Sequence, residues 1–386
     1  VWALTNAEDR NSIEGTLREQ EIPNIHFCFI GLPSFLRPLL NLQAGHQFYY
    51  YLWQIRAYFT ARRLHKKIQF DLFHHITYGN DWMASHVGAL LPVPYIRGPG
   101  GGAHRTPGIL QREYRWGGRI WEKFRSLGQW IFRHDPFFVR GQSRASAIMV
   151  CNRDSLAKLP RRWAGKAHTF PVSGISSEDL ESTAPDKRDG EKFHVLSAGS
   201  LIRVKGFGLA IRAFSRFSDL HPDSRLSIFG SGPEGPKLKA LVSRLGLEDK
   251  INLLPEIPRK QLMSEMAGCD VLLFPSMRDG GGTVVIEAMS VGKPVVCLDI
   301  GGPGMHITEN CGWKVTPGSP EETVARLAEG LERLYLDQEL RDRLGAAGRE
   351  RAEQHYHWDR LGERLLEIYQ QAVVMETSTS STYENP

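Results

Sequence analysis

The stretch "DGGGTVVIEAMSVGKPV", residues 279–295, decides the fold of this chain. Two carboxylates, Asp279 and Glu287, stand eight positions apart, and three consecutive glycines follow the first. The preceding run "DVLLFPS" (270–276) predicts a buried strand that ends in a Pro-Ser turn. The order is therefore strand, glycine-rich loop and helix N-terminus. Backbone N–H groups of such a loop can approach a diphosphate closely, and the helix dipole favours its negative charge.

The second carboxylate lies within the apolar run that predicts the helix. A carboxylate one or two turns into a helix can accept hydrogen bonds from vicinal hydroxyls of a ribose or a sugar. The alternative is a glycine-rich turn followed by a solvated acid on a surface helix. The two carboxylates together with the strand–loop–helix order favour a binding site.

This segment resembles the donor-site signature of retaining glycosyltransferases of the GT-B fold, in particular glycosyltransferase family 4, in which two Glu flank seven residues. Asp279 stands in the place of the first Glu, and Glu287 matches the second. The resemblance implies that Glu287 holds the ribose of a nucleotide-sugar donor. It assigns the sugar to Asp279 and to the loop residues Gly280, Gly281, Gly282 and Thr283.

The loop after the first strand of the second half carries two cations. In "SAGSLIRVKGFGLAIRAF" (197–214), Lys205-Gly206 resembles the end of the family pattern Arg, four residues, Lys-Gly, and Ser200 occupies the Arg position. Solvated loop cations are the ordinary interpretation of such a pair. The resemblance implies that Lys205, with Arg203 in place of the missing Arg, holds the donor diphosphate through charge-assisted hydrogen bonds.

Two further segments agree with a donor site. "FGSGPEGPKLKAL" (229–241) resembles the Gly-x-Gly-Pro turn of the family, with Gly230 and Gly232 as its glycines. "INLLPEIPRKQL" (251–262) resembles the strand and turn that hold the nucleobase through backbone groups, which implies a base contact at Glu256 and Ile257. Each segment alone is weak evidence for a donor site, but the order and spacing of the segments over this half match the family.

Strands and helices alternate along the whole chain, which predicts an α/β protein with parallel, doubly wound sheets. With 386 residues the chain is long enough for two domains. The resemblance implies the GT-B fold, in which two Rossmann-like domains face a central cleft. We place the acceptor-side domain at 1–175, a polar linker at 176–192 and the donor-binding domain at 193–357. A final amphipathic helix, 358–373, crosses back to the first domain by resemblance, and residues 375–386 are predicted to be disordered.

Composition excludes several classes of protein. No stretch approaches the roughly 18 unbroken apolar residues of a membrane span, and no signal peptide is visible. The five cysteines are scattered without a CxxC pair, which favours reduced thiols over disulfides or a metal site. We therefore predict a cytoplasmic enzyme without a metal or other cofactor, with the nucleotide sugar as co-substrate.

The net charge of +5 hides an asymmetry, because residues 1–175 carry +12 and residues 176–386 carry −7. The basic half indicates an anionic partner. Between 112 and 144, Arg and Lys alternate with Trp and Phe at helical spacing, which suits the surface of an anionic membrane. A helix pair that packs its aromatics on the core is an equal alternative. Nucleic acid is a weaker candidate because we recognise no nucleic-acid-binding motif.

The first half offers fewer candidate site residues. His74 and His75 end a predicted strand in "FDLFHHITYGNDW" (70–82), where parallel α/β domains place ligands. Packing with a hydrogen bond is the commoner role of such histidines, and we retain His75 as a substrate-binding candidate. Family members commonly carry a His after the next strand, where this chain has "PYIRGPGGGAHRTP" (94–107). We include Gly101 of that run, since its backbone can approach the donor or acceptor.

The chain begins with "VWALT", an apolar strand without a preceding Met. In the family such a strand is the second of the N-terminal sheet and follows a first strand, a glycine-rich loop and a helix. We therefore expect an N-terminally incomplete version of a longer enzyme, whose first sheet has exposed strand edges and whose isolated chain is less stable and poorly active.

These observations predict a retaining glycosyltransferase that moves a sugar from a nucleotide-sugar donor to a glycan, lipid-linked or small-molecule acceptor. A GT-B-fold sugar-nucleotide epimerase is the alternative from another reaction class, and detection of glycosyl transfer would separate the two. A third interpretation is a non-catalytic nucleotide-sugar-binding remnant, which would bind donor without turnover.

Overall fold

The computed structural model describes residues 1–19, 22–41, 45–76, 80–102, 105–114, 116–182 and 192–381. The part of the predicted linker at 183–191 and the end of the predicted tail at 382–386 lie outside these residues.

Twelve strands are present in the described part of the chain. They are β1 (Trp2–Asn6), β2 (His26–Ile30), β3 (Phe73–His75), β4 (Tyr95–Gly100), β5 (Ala145–Val150), β6 (Ala167–Thr169), β7 (Phe193–Ala198), β8 (Ser224–Phe229), β9 (Ile251–Leu254), β10 (Val271–Phe274), β11 (Val295–Leu298) and β12 (Gly312–Val315).

Helices connect these strands. They are α1 (Arg10–Glu19), α2 (Gly45–Ile68), α3 (His86–Leu90), α4 (Trp116–Arg133), α5 (Pro136–Arg144), α6 (Arg153–Ala157), α7 (Arg161–Ala164), α8 (Ser177–Leu180), α9 (Phe207–Leu220), α10 (Gly235–Arg244), α11 (Arg259–Gly268), α12 (Thr283–Ser290), α13 (Gly301–His306), α14 (Pro320–Leu336), α15 (Gln338–Tyr356) and α16 (Trp358–Ser381). Short 3-10 segments span Ala7–Asp9, Ser34–Asn41, Leu110–Glu113 and Arg203–Lys205.

The second half forms one parallel sheet of six strands in the order β12-β11-β10-β7-β8-β9. This is the doubly wound order, in which the chain returns to the middle of the sheet and then builds outward on the other side. Every residue of β7 and β10 is buried, because helices cover both faces of a parallel sheet. The predicted α/β class with parallel, doubly wound sheets is confirmed.

The strands of the first half divide into two parallel sheets, β1-β2 and β3-β4-β5-β6. The segment "VWALT" therefore lies in a two-stranded sheet. Within the described residues, the free edges of β1 and β3 have no strand partner. No residue of β1 is buried, in contrast to the complete burial of β7.

The long final helix α16 packs on the sheet of the first half. Leu361, Ile368 and Ala372 form one buried cluster with residues of β4 and β5. The helix continues past the predicted end at residue 373 to Ser381, into the segment that composition predicted to be disordered.

Several elements differ from those that the pattern predicted. The strands β6 and β12 and the helices α5 and α13 were not predicted, because each is short and carries glycine or polar residues. The polar segment predicted as linker contains α8, which a Ser176–Asp179 capping box begins.

Candidate active site

The site forms where β7 and β10 lie side by side in the six-stranded sheet. From these two strands the chain continues to opposite sides of the sheet, so their carboxyl ends leave a crevice at which doubly wound proteins bind ligands. The loop after β7 carries Lys205, and the loop after β10 carries Asp279.

Lys205 and Asp279 form an ion pair across this crevice, with Nζ 2.5 Å from Oδ2. Gly206, at φ +72°, forms the turn that follows the lysine. A Cβ at this position would lie 2.1 Å from the carbonyl oxygen of Pro275, so only glycine fits. Burial acts to raise the pKa of Asp279, but the Lys205 charge and two backbone hydrogen bonds outweigh it, so that this pKa lies below its usual value.

The second oxygen of Asp279 caps its own loop. Its Oδ1 accepts hydrogen bonds from the N–H groups of Gly281 at 3.1 Å and Gly282 at 2.9 Å. These two N–H groups therefore orient the carboxylate. Gly280 and Thr283 flank them, and α12 begins at Thr283 with its N-terminus at this loop.

Glu287 lies one turn into α12 and is buried. Arg259, the first residue of α11, donates from Nε to Oε1 of Glu287 at 2.8 Å. The same guanidinium donates from Nη1 and Nη2 to the carboxylate of Asp179, at 2.5 and 3.0 Å. The hydrogen bond with Asp179, joined by the Glu287 charge, raises the pKa of Arg259. One oxygen of the predicted ribose-binding carboxylate is thus held by an arginine that sequence reasoning missed.

His306 at the end of α13 is a second residue that sequence reasoning missed. Its Nε2 donates to the carbonyl of Gly281 at 2.5 Å, and the hydroxyl of Tyr356 donates to its Nδ1 at 2.9 Å. Burial lowers the pKa of His306 to about 4, which keeps the ring neutral. The imidazole therefore fixes one carbonyl of the glycine-rich loop.

The glycine turn after β8 lies beside the loop after β7. A Cβ on Gly230 would lie 2.0 Å from the carbonyl oxygen of Gly199, and one on Gly232 would lie 2.6 Å from that of Leu201. Close approach of the two loops therefore explains both predicted glycines.

Glu256, Ile257 and Arg203 are the remaining predicted site residues of the second half. Glu256 is exposed, and Ile257 packs against the second-half core. Arg203 has a carboxylate oxygen of Glu234 at 3.7 Å, and its guanidinium lies 5.7 Å from the ring centroid of Tyr114 in the first half. The structure therefore brings Lys205 and Asp279 together and turns Arg203 toward the other half.

The two halves meet at the glycine-rich loop. Asn152, which caps α6, donates from Nδ2 to the carbonyl of Gly280 at 3.1 Å. Asp154 accepts from the N–H of Gly301 at 2.9 Å. These contacts fix the carboxyl edge of β5 against the glycine-rich loop and the start of α13.

An ion pair also joins the halves beside the loop. Buried Glu122 on α4 contacts Arg278, the residue before Asp279. Arg125 lies 3.7 Å from Glu122, and burial together with Arg278 lowers its pKa to about 10. Arg125 therefore faces the protein interior.

The first-half candidates take part in hydrogen bonds. The hydroxyl of Tyr50 on α2 lies 2.6 Å from Nε2 of His75. His74 donates from Nε2 to the carbonyl of Gly98 at 2.6 Å, and its Nδ1 lies 2.7 Å from the Tyr369 hydroxyl. These contacts give both histidines a packing role. The Gly101 carbonyl accepts from the N–H of Asp81 at 2.9 Å.

The described residues contain neither a metal-binding cluster nor a membrane-spanning helix. No group of three His, Cys, Asp or Glu residues there has an arrangement suited to a metal ion. No helix in this part of the chain combines the length and the apolarity needed to cross a membrane.

The chain was compared with known proteins. A family model described as "Glycosyl transferases group 1" matches residues 180–351. A D-inositol 3-phosphate glycosyltransferase of Arthrobacter sp. (strain FB24) is 32% identical over 186 residues, which cover 47% of this chain and 43% of that enzyme. The alpha-D-kanosaminyltransferase of Streptomyces kanamyceticus is 24% identical over 255 residues, 64% of each chain. The chain thus spans less than half the length of the first of these relatives.

Solved structures cover more of the chain. Sucrose-phosphate synthase from Thermosynechococcus elongatus matches with a TM-score of 0.61 and 19% identity, over 92% of this chain and 85% of that one. Anabaena HepE in complex with UDP matches with a TM-score of 0.57 and 18% identity, over 96% of this chain and 89% of that one. The chain therefore has the GT-B fold, with Rossmann-like domains on either side of the site.

Proposed function

We propose that this protein is a retaining glycosyltransferase of family 4 that transfers a sugar from a nucleotide-sugar donor to a hydroxyl of an acceptor, without a metal ion. The observation that carries the proposal is the pairing of Lys205 with Asp279 at the crevice between β7 and β10, beside the N-terminus of α12. The family match over residues 180–351 and the UDP bound to the Anabaena protein of the same fold support a nucleotide-sugar donor.

The reaction needs stabilisation of a leaving group. The bond between the anomeric carbon and the phosphate oxygen breaks, and negative charge grows on the departing diphosphate. The acceptor oxygen bonds to the same face of that carbon, and its proton passes to the departing phosphate oxygen. A fixed cation and helix N–H groups aimed at the diphosphate lower this barrier, because their interaction is strongest in the transition state.

Lys205 suits this role because an ammonium group has three N–H donors. Asp279 accepts from one of them and so fixes the position of the nitrogen, which leaves two for phosphate oxygens. Asp279 is a positioning residue for Lys205 in this arrangement, in addition to its predicted contact with the sugar. The role of Arg203 at the diphosphate stays a prediction.

Glu287 suits the donor ribose. Arg259 holds one carboxylate oxygen, and the fixed carboxylate offers its other oxygen to vicinal hydroxyls. Loss of such a charge-assisted acceptor costs about 1.5–3 kcal/mol for each hydrogen bond.

The test is glycosyl transfer and donor binding with a panel of nucleotide sugars. We expect one donor to support transfer, with the anomeric configuration retained in the product by NMR. Glu287→Ala should weaken donor affinity measured by calorimetry, whereas Lys205→Met should lower turnover about 100-fold or more. Lys239→Met, an exposed lysine of the same half, serves as the control.

Two results would contradict the proposal. Conversion of a nucleotide sugar to its epimer without transfer would assign the epimerase. Donor binding without turnover across a broad acceptor panel would assign a non-catalytic binding protein.

We also propose that the first half docks on an anionic membrane through α4. Exposed apolar side chains lie on one face of this helix at spacings of three and four residues. They are Trp116, Ile120, Phe124, Leu127, Trp130 and Ile131. Exposed Lys123 lies within this face, which suits the boundary between lipid chains and anionic headgroups.

The structure reduces the set of cations that can serve this docking. Arg125 points into the protein, and Arg140 and Arg144 donate to backbone carbonyls of the first half. Arg115 and the side chain of Arg119 lie outside the described residues. We therefore expect the apolar face of α4 to contribute more to docking than its cations do.

Co-sedimentation with vesicles of phosphatidylcholine and phosphatidylglycerol tests the docking. Leu127→Ser should weaken sedimentation, and Lys123→Gln should remove part of its salt dependence. The matched controls are Leu336→Ser and Lys239→Gln, exposed residues of the second half. Equal sedimentation of Leu127→Ser and Leu336→Ser would reject the docking face.

A further inference from the structure

A cavity of about 280 Å³ lies in the first half, apart from the Lys205–Asp279 pair. Its wall includes Gly100 and Val150, the last residues of β4 and β5, and Ser155 of α6. The carboxyl edge of this sheet faces the donor loop, because Asn152 at the start of α6 is bonded to Gly280. The cavity therefore extends from the edge at which an acceptor would meet the donor.

The least exposed charged residue in the cavity wall is Arg97, at 3% exposure. Its Nη2 donates to the carbonyl of Met83 at 2.7 Å, and its guanidinium lies 4.8 Å from the ring centroid of Phe138. Its Nη1 is buried and forms no hydrogen bond of normal geometry among the described residues, although the Tyr95 hydroxyl and the Asp81 carboxylate lie near the guanidinium. A buried cationic donor without a well-placed acceptor is costly, so this atom marks a place for a ligand.

Two acceptor atoms of the same wall also have no hydrogen-bond partner within the described part of the chain. They are the side-chain oxygen of Gln142 and Oδ1 of Asp81. Amide and carboxylate oxygens both accept hydrogen bonds. A ligand that satisfies this wall must therefore carry donors, such as hydroxyls, in addition to an acceptor for Arg97.

Charge at the cavity is predominantly positive. Arg133, Lys158 and Arg162 join Arg97 in the lining, against the one carboxylate of Asp81. Oδ1 of Asp81 lies 3.7 Å from Nη2 of Arg133, so this carboxylate neutralises part of the positive charge. Lys158 and Arg162 are exposed, so they lie toward solvent, whereas Arg97 is enclosed. The site thus combines an exposed cationic entrance with a buried arginine.

We propose that this cavity is the acceptor subsite and takes a hydroxylated compound with an anionic group, a phosphate or a carboxylate, which Arg97 binds. This proposal rests on the function proposed above, because it identifies the bound compound as the acceptor of that reaction. The shared chemistry is an anionic, hydroxyl-bearing group, which either a soluble sugar phosphate or a phospholipid headgroup supplies. Trp130 lines the cavity and also belongs to the exposed face of α4, so a headgroup could enter from a membrane surface.

The experiment measures binding by calorimetry to the full chain, with glucose 6-phosphate as the anionic probe and glucose as its neutral match. We expect glucose 6-phosphate to bind at least tenfold more tightly. Dihexanoyl phosphatidylglycerol, below its micellar concentration, tests the lipid source by competition. Competition would show that the site accepts lipid headgroups. Glucose 6-phosphate binding without such competition would indicate a soluble acceptor. Both outcomes support an anion-binding acceptor site in the cavity.

Variants at the entrance avoid the risk of unfolding. Lys158→Gln and Arg162→Gln together should weaken glucose 6-phosphate binding about tenfold or more, while Arg161→Gln, an exposed neighbour outside the lining, should leave it unchanged. Arg97→Gln should abolish binding while retaining affinity for UDP or GDP, whichever the unmodified protein binds, which reports on the donor site and on folding.

Equal affinity for glucose and glucose 6-phosphate, or unchanged binding in the entrance variant, would overturn the proposal. Failure of every nucleotide to bind while glucose 6-phosphate binds would instead overturn the proposed glycosyltransferase and leave an anion site of another function. The two failures are therefore distinguishable.

Discussion

The two halves of this chain use the same alternation of strand and helix, but only the second assembles its described strands into one sheet. In the second half, β7 and β10 are buried at every position and occupy the middle of a six-stranded sheet. In the first half, β1 has no buried residue, and the strands divide between two sheets. A site at the junction of two central strands is held rigidly by such a sheet, whereas the first half obtains part of its packing from α16.

Matched truncations in the two halves give the largest expected difference. Phe274→Ala in β10 removes a ring at 1% exposure and should lower the free energy of unfolding by about 3–5 kcal/mol. Phe29→Ala in β2 removes a half-buried ring and should cost about 1 kcal/mol. Denaturant unfolding of both variants measures the difference, and equal losses would show that the halves are equally packed.

Sequence patterns predicted the second half well for a physical reason. Its strands are continuous apolar runs, and its loops carry glycines whose conformations side chains resist, so that the order of most elements follows from local sequence. The family resemblance implied that Lys205 and Asp279 both serve the donor, but their ion pair was not predicted. The contacts of Arg259 and Asp179 were also not predicted. Arg259 bridges Glu287 and Asp179, which lie at distant positions in the chain, and no local pattern encodes such a long-range pairing.

The first half was predicted less well because the same residue types serve two faces of one helix. On α4, aromatic side chains face outward at Trp116 and Phe124, while Arg125 and Glu122 face inward. The spacing indicated an amphipathic helix but did not show which face was the polar interior. Arg97 was also missed, because an arginine in an apolar strand has no signature apart from its burial.

Truncation at α16 tests whether the first half depends on that helix. Leu361, at 2% exposure, packs with residues of β4 and β5, so Leu361→Ala should cost about 2–4 kcal/mol. Hydrogen exchange should show the loss of protection in β4 and β5 more than in β7 and β8. Leu366→Ala, an exposed position of the same helix, is the control. Equal loss in both sheets would mean that the halves unfold as one unit.

Acidification should also separate the halves. Burial lowers the pKa of His74 to about 4 and of His75 to about 3 in the first half, and that of His306 to about 4 in the second. Because each pKa is lower in the folded state than the usual 6.5, the unfolded state binds more protons below pH 6.5, and stability falls as the pH drops toward 4. The slope is about 1.4 kcal/mol per pH unit for each histidine.

With two such histidines, the first half should lose protection on acidification earlier than the second. Hydrogen exchange at pH 6.5 and pH 5 measures this difference after correction for the intrinsic exchange rate. His306→Asn, which cannot be protonated in this range, should reduce the acid sensitivity of the loop at Gly281 alone. Simultaneous loss of protection in both halves would contradict the predicted greater acid sensitivity of the first half.

The smallest expected effect concerns the contact that joins the halves. Asn152 donates from Nδ2 to the carbonyl of Gly280 and accepts at Oδ1 from the N–H of Ser155 at 2.8 Å. Asn152→Ser retains an N-cap side chain for α6 but is too short to reach Gly280, so the helix is kept while the contact between halves is lost. One neutral hydrogen bond contributes about 1 kcal/mol, which predicts roughly fivefold weaker nucleotide binding with little change in stability. Asn252→Ser, at the exposed position of β9, is the control. Calorimetric titration with the donor nucleotide decides the matter, since unchanged affinity in Asn152→Ser would mean that the second half sets the conformation of the glycine-rich loop without help from the first.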